Sequence, residues 1–235
     1  MKNFDSYFKS AFTVDNVIFG FDEGDLKILL IKRKENPYAG YWALPGYFVQ
    51  PDEDLDTAAI RVLKQLAGIE NVYLEQVKTF GTVDRHPFGR VITVAYFSLV
   101  KIADFSPFPD NDVAEEVRWF SLSNIDNLAF DHEKMIKECF MRLKKQVSAQ
   151  PFGFELLPQK FTLTELQHLY EAILEKPLDK RNFRKKILST NLLIDTTETQ
   201  EGVAHRPAKL YQFDIVKYNK LLRDGFRFEF QGAKK

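Results

Sequence analysis

The stretch SAQPFGFELLP, residues 148–158, does most to limit what this 235-residue chain can fold into, because it ends one periodicity and begins another. Its two prolines and one glycine break the helical pattern before it, since proline lacks the amide a helix needs and glycine weakens one. Upstream lie alternating, β-branched runs with amphipathic helices between them; downstream lie two short helices and a hairpin. The expected division is a first domain over 1–149, a linker over 150–158 and a second domain over 159–235. Both domains are long enough to bury a core of their own.

In the first part, Val14 to Phe21 and Leu26 to Lys32 read as strands joined at DEGD, a hairpin turn. Further strands are expected at 73–80, 91–100 and 116–121. An apolar stripe at Leu55, Ala58, Ala59, Val62, Leu63 and Leu66 has helical spacing, and Gly68 is placed to stop it. A second helix, 131–147, turns Met135, Ile136, Cys139, Phe140, Leu143 and Val147 to one side. Strands interleaved with helices make an α/β sandwich of about 150 residues. The lone cysteine, Cys139, excludes an internal disulfide and a cysteine-rich metal site. No stretch has the length of a membrane span and the N-terminus lacks an apolar leader core, so a cytoplasmic protein is expected.

The second part differs in charge. Residues 1–149 carry 18 Lys and Arg against 22 Asp and Glu, a net −4, whereas 150–235 carry 15 against 11, a net +4. A basic domain in a neutral chain is suited to an anionic partner. Thr162 and Glu165 form a capping box that starts a helix running to about Leu174, and Asp179 caps a second helix through Leu188. Within KPLDKRNFRKKI, residues 176–187, six residues are basic and one is acidic. Phe183, Ile187 and Leu188 fall on one side of that helix, and Arg181, Arg184 and Lys185 share another. A helix pinned by an apolar face and presenting Arg, Asn and Lys can enter a major groove, because Arg pairs with guanine, Asn with adenine, and Lys neutralises phosphates. The candidates are Lys180, Arg181, Asn182, Arg184 and Lys185. The segment 192–213 reads as a hairpin whose loop adds His205, Arg206 and Lys209 as a wing. Two helices and a hairpin are the order of a winged helix-turn-helix.

From Pro45 to Ile69 the chain resembles the Nudix box, in which a glycine and a glutamate precede an Arg-Glu-aliphatic-any-Glu-Glu-any-Gly-aliphatic helix. Glu53, Arg61, Leu63, Gly68 and Ile69 match that frame, but Tyr47 replaces the glycine, and Val62, Gln65 and Leu66 replace three glutamates. Pyrophosphate cleavage of this kind needs divalent cations held by carboxylates, and valine or leucine cannot ligate one. Glu53 and Arg61 are expected to form an ion pair tying loop to helix. No catalytic residue, metal or cofactor is assigned.

Together with DRHPFGRVITVAYFSL (84–99), FTLTELQHLYEAIL (161–174), LDKRNFRKKIL (178–188) and HRPAKLYQF (205–213), the degenerate box makes nearly the whole chain resemble the Nudix-related transcriptional regulators. The resemblance implies a Nudix-like α/β/α sandwich that senses a small molecule, followed by a winged helix that binds operator DNA. It implies a repressor and a homodimer, since paired winged helices read two half-sites. Members of the family sense NAD-related nucleotides such as ADP-ribose, and the branch this chain resembles regulates sugar catabolism. With three metal-binding acids gone, a sugar such as L-arabinose is the expected effector and ADP-ribose the alternative. Lys32, Trp42, Tyr47, Asp84, Arg85, His86 and Arg90 are the candidate effector contacts, with Phe48 beside them. Two rivals stand against this reading: a Nudix hydrolase using Glu53 with Glu115 or Glu116, and a winged helix that binds protein.

Overall fold

Residues 10–108, 113–202 and 206–223 are described by the computed structural model. The chain divides into two compact units, residues 1–20 with 27–142, and residues 21–26 with 143–235.

Strand β1 (Ala11–Asp22) turns through Glu23 and Gly24, both at positive φ, into β2 (Asp25–Arg33). Such mirror-type turns match the twist of a hairpin. Strands β3 (Trp42–Ala43), β4 (Gly46–Phe48), β5 (Glu75–Phe80), β6 (Val91–Val100) and β7 (Ala114–Ser121) complete a seven-stranded sheet. Its order is β3-β2-β1-β6-β5, with β4 also on β1 and β7 also on β2. β1 and β6 run parallel from Ala11 opposite Val91 to Gly20 opposite Val100.

Every residue of β1 from Val14 to Gly20 is buried, so both sides of the strand are covered. Alternation along a strand separates the two sides. Val14 and Ile18 face helix α1 (Leu55–Ala67), meeting Ala58, Ala59, Val62, Leu63 and Leu66. Asp15 and Phe19 face helix α2 (His132–Ala149), where Phe140 lies 6.3 Å from Phe19 between ring centroids. The α/β/α sandwich expected from the sequence is the fold observed. Asp54 caps α1 by accepting from the Thr57 amide, and Gly68 ends it in the left-handed conformation. Cys139 is buried in α2 as expected.

In the second unit, helix α3 (Leu163–Leu174) begins with the full Thr162–Glu165 capping box, and α4 (Lys180–Ser189) is capped by Asp179. The turn between them is held by two side chains of α3: Gln167 donates to the Leu178 carbonyl, and Glu171 accepts from the Leu178 amide. Tyr170 and Phe183 pack edge to face across the pair. Strands β8 (Leu193–Thr199) and β9 (Lys209–Phe213) form the hairpin, and Phe161 makes an isolated antiparallel bridge to Tyr211. This is a winged helix. Among the described strands and α-helices, β3, β4 and a terminal helix, α5 (Ile215–Arg223), were not anticipated. Leu188, expected on the apolar face of α4, is 41% exposed; only Phe183 and Ile187 are buried there.

Candidate effector cavity and nucleic-acid interface

The box positions that depart from the Nudix pattern carry no acids. Val62 and Leu66, which replace two of the glutamates, are buried in the core between α1 and the sheet, while Gln65 is exposed. Among the described residues, no three His, Cys, Asp or Glu side chains come close enough to hold an ion. Glu53 is used structurally: it accepts from Arg61 Nε at 2.8 Å and from the Gln50 amide at 2.8 Å, and makes a second short contact with Arg61 Nη2. That guanidinium also donates to the Phe48 carbonyl and the Gln65 amide oxygen. The hydrogen bond from Arg61 pulls the Glu53 carboxyl down to about 2. Glu115 and Glu116, the other acids of the hydrolase alternative, pair with Lys32 and Arg118.

A cavity of about 150 Å³ opens on the α2 side of the sheet, lined by β1 (Thr13, Asp15), Arg33 at the end of β2 with the loop residues Glu35 to Pro37, β4 (Gly46 to Phe48), residues of the 85–91 segment, and Phe130 with His132. Gly46 is required here, since a Cβ would lie 1.8 Å from Asp15 Oδ1. The floor is a buried polar pair. His132 Nδ1 accepts from the Leu44 amide at 2.9 Å, which places the imidazole proton on Nε2. Nε2 faces Asp15 Oδ1 at 3.5 Å. Burial lowers the His132 pKa and outweighs the opposing pull of Asp15 and Asp131. Above the floor the walls are aromatic and cationic. The His86 ring stacks on Phe130 at 5.2 Å, and the Arg33 guanidinium sits 5.0 Å from the same Phe130 ring. Burial, then Arg85 and Arg33, lower the His86 pKa. Arg33 Nε donates to the Pro37 carbonyl, which fixes the guanidinium on the cavity wall.

Of the effector candidates named from the sequence, Tyr47, Arg85 and His86 line this cavity, with Phe48. Arg85 is buried and holds Asp131 through Nε and Nη2, at 3.3 and 2.7 Å. Lys32, Trp42, Asp84 and Arg90 do not line it. Lys32 pairs with Glu115, Trp42 packs edge to face on Phe120, Asp84 is exposed, and Arg90 donates to the Gly81 carbonyl at 2.6 Å. Asp15, Arg33, Phe130 and His132 went unnamed. The one available signal was Asp15 itself, a carboxylate beside Asn16 within the largely apolar run of β1.

On α4, Lys180, Arg181, Asn182 and Lys185 are exposed. Arg184 turns back instead, donating from Nη2 to the Thr164 hydroxyl of α3 at 3.2 Å, and is half-buried. On the hairpin, Arg206 is exposed, Lys209 pairs with Asp195 at 2.9 Å, and His205 lies outside the described residues.

A model of the Nudix domain matches residues 10–139, and a model of the NrtR DNA-binding winged helix domain matches residues 153–213. The ADPR responsive transcriptional repressor NtrR of Acinetobacter baylyi is 37% identical over 211 residues, which cover 88% of this chain and 83% of that protein. The chain belongs to the NrtR family of Nudix-related transcriptional regulators. Shewanella oneidensis NrtR complexed with a 27mer DNA matches this NrtR-family chain with a TM-score of 0.73 at 33% identity, over 86% of this chain and 93% of that one. The Nudix domain of the same Shewanella protein complexed with ADP ribose matches with a TM-score of 0.56 at 30% identity, over 60% of this chain and 93% of that one.

The L-arabinose branch expected from the sequence finds no support in these likenesses: the Acinetobacter repressor and the Shewanella Nudix-domain complex both carry ADP-ribose in their names. The inference to a sugar rested on the missing metal ligands and on resemblance to the sugar-regulating branch. Among the described residues of this NrtR-family chain, no helix is long and apolar enough to cross a membrane.

Proposed function

We propose that this chain is a transcriptional repressor in which the first domain, residues 1–149, binds ADP-ribose in the cavity beneath β1 and β4, and the second, residues 159–235, binds operator DNA as a homodimer. The observation that carries the reading is the composition of the cavity: aromatic rings and the Arg33 guanidinium line its walls, while the core side chains Val62 and Leu66 occupy two of the box positions that would hold metal. A nucleotide can be retained by stacking and by guanidinium contact with phosphate without metal. Losing the acids turns a site for turnover into a site for recognition. Arg33, Tyr47, His86 and Phe88 are the proposed contacts. The exposed Lys180, Arg181, Asn182 and Lys185 of α4 are the proposed groove readers, with Arg206 on the wing. ADP-ribose lowers operator affinity by the ratio of its affinities for the free and DNA-bound arrangements.

The test is thermal shift and titration calorimetry of the full chain with ADP-ribose and L-arabinose, without and then with Mg²⁺. It is followed by anisotropy on labelled duplexes that the protein has enriched from a random-sequence pool. Binding of ADP-ribose without Mg²⁺ raises the melting temperature, because a ligand at 100 times its Kd stabilises the native state by about 2.7 kcal/mol. The same ligand weakens the duplex complex. A shift for L-arabinose alone, or duplex affinity unchanged at saturating ADP-ribose, refutes the reading.

A further inference from the structure

Asp15 is a carboxylate with too few donors. Its side chain is 7% exposed and lines the cavity. Oδ2 accepts a 2.6 Å bond from the Thr93 hydroxyl, while Oδ1 has only the His132 Nε2 proton, at a long 3.5 Å. A carboxylate has room for about four donors, and a buried one gains from each that is supplied. What can fill the vacant positions is set by charge. A phosphate oxygen is an acceptor and an anion, so it is repelled at Asp15; a neutral hydroxyl is a donor and is drawn there.

On the reading that the ligand is ADP-ribose, we infer that Asp15 is a specificity-determining residue that accepts hydrogen bonds from hydroxyls of the terminal ribose. This orients the ligand with the sugar on the floor of the cavity and the diphosphate toward Arg33. Gly46 is what allows the arrangement, because any larger residue would push its Cβ into the Asp15 carboxylate and close the floor. His132 acts through Asp15 as a positioning residue. Its Nδ1 is occupied by the Leu44 amide, which leaves the protonated Nε2 facing Asp15 Oδ1 at 3.5 Å and the remaining carboxylate lone pairs for ligand.

The test compares two ligands by calorimetry on wild-type full chain and on Asp15→Asn: ADP-ribose, and the tetrahydrofurfuryl ester of ADP, which keeps the diphosphate charge and lacks the terminal hydroxyls. On wild type the ester binds about 10- to 100-fold more weakly, the range for hydrogen bonds to a charged group. On Asp15→Asn, ADP-ribose falls toward the affinity of the ester, and the ester itself changes little. Equal affinity of the two ligands on wild type overturns the Asp15 contact and leaves the ADP-ribose reading standing; that arm needs no variant to fold. A variant that melts like wild type and still prefers ADP-ribose by the wild-type factor also overturns the contact. If wild type binds neither ligand, the ADP-ribose reading falls and this inference with it.

Discussion

Replacing Glu53 by Gln separates a structural role for the surviving box acid from a catalytic one. In the folded chain its carboxyl is held at about 2 against an ordinary 4.5, chiefly by the hydrogen bond from Arg61. A displacement of that size corresponds to about 3.4 kcal/mol at 1.36 kcal/mol per pH unit. Arg61 and Glu53 are 18% and 8% exposed, so solvent screening reduces this to about 1–2 kcal/mol. Because the folded pKa lies below the unfolded one, the stabilisation is fully present above pH 4.5 and disappears as the pH falls toward 2. The assay is urea denaturation followed by tryptophan fluorescence. Both tryptophans of the chain, Trp42 and Trp119, lie in the first unit, so the signal reports the unit that contains Glu53. At pH 7 the variant unfolds about 0.5–1 M earlier in urea, for a slope of about 2 kcal/mol/M, and the gap from wild type closes between pH 4.5 and the acid limit. An unchanged midpoint at pH 7, or a gap that does not depend on pH, refutes the ion-pair account. Mg²⁺-dependent ADP-ribose hydrolysis that the substitution abolishes supports the hydrolase instead.

Restoring the box acids as Val62→Glu and Leu66→Glu places charges among core side chains that are 0% and 3% exposed; each costs about 3–5 kcal/mol as an unpaired buried charge, and a double variant that melts like wild type contradicts the packing described. Arg181→Ala and Lys185→Ala each reduce the salt slope of duplex binding by about one if they meet phosphate, whereas Arg184→Ala lowers the stability of the winged helix by removing its bond to Thr164; unchanged DNA binding in the Arg181 and Lys185 variants moves the interface away from α4. Cys139 is fully buried and its thiol is pushed up to about 12 by burial, so a thiol reagent at pH 8 labels it only after denaturation, and rapid labelling of native protein counts against the placement of α2.

What the sequence determined by itself was everything governed by neighbours within a turn or two. The extents of α1, α3 and α4 followed from apolar spacing and from caps at Gly68, Thr162 and Asp179, because these bonds form within a few residues of chain. The loss of the box acids and the basic surface of α4 were legible for the same reason. Tertiary structure decided the rest. β3 and β4, two and three residues long, are too short to show a period and exist only because β2 and β1 offer partners. The cavity gathers side chains from five separate segments, and no local rule says which will meet. Adjacent residues can part company: Arg33 lines the cavity while Lys32, next to it, pairs with Glu115 outside it. Arg184 likewise shares a helix with Arg181 but turns to Thr164. A charge is visible in a sequence; the direction it points is set by the packing around it.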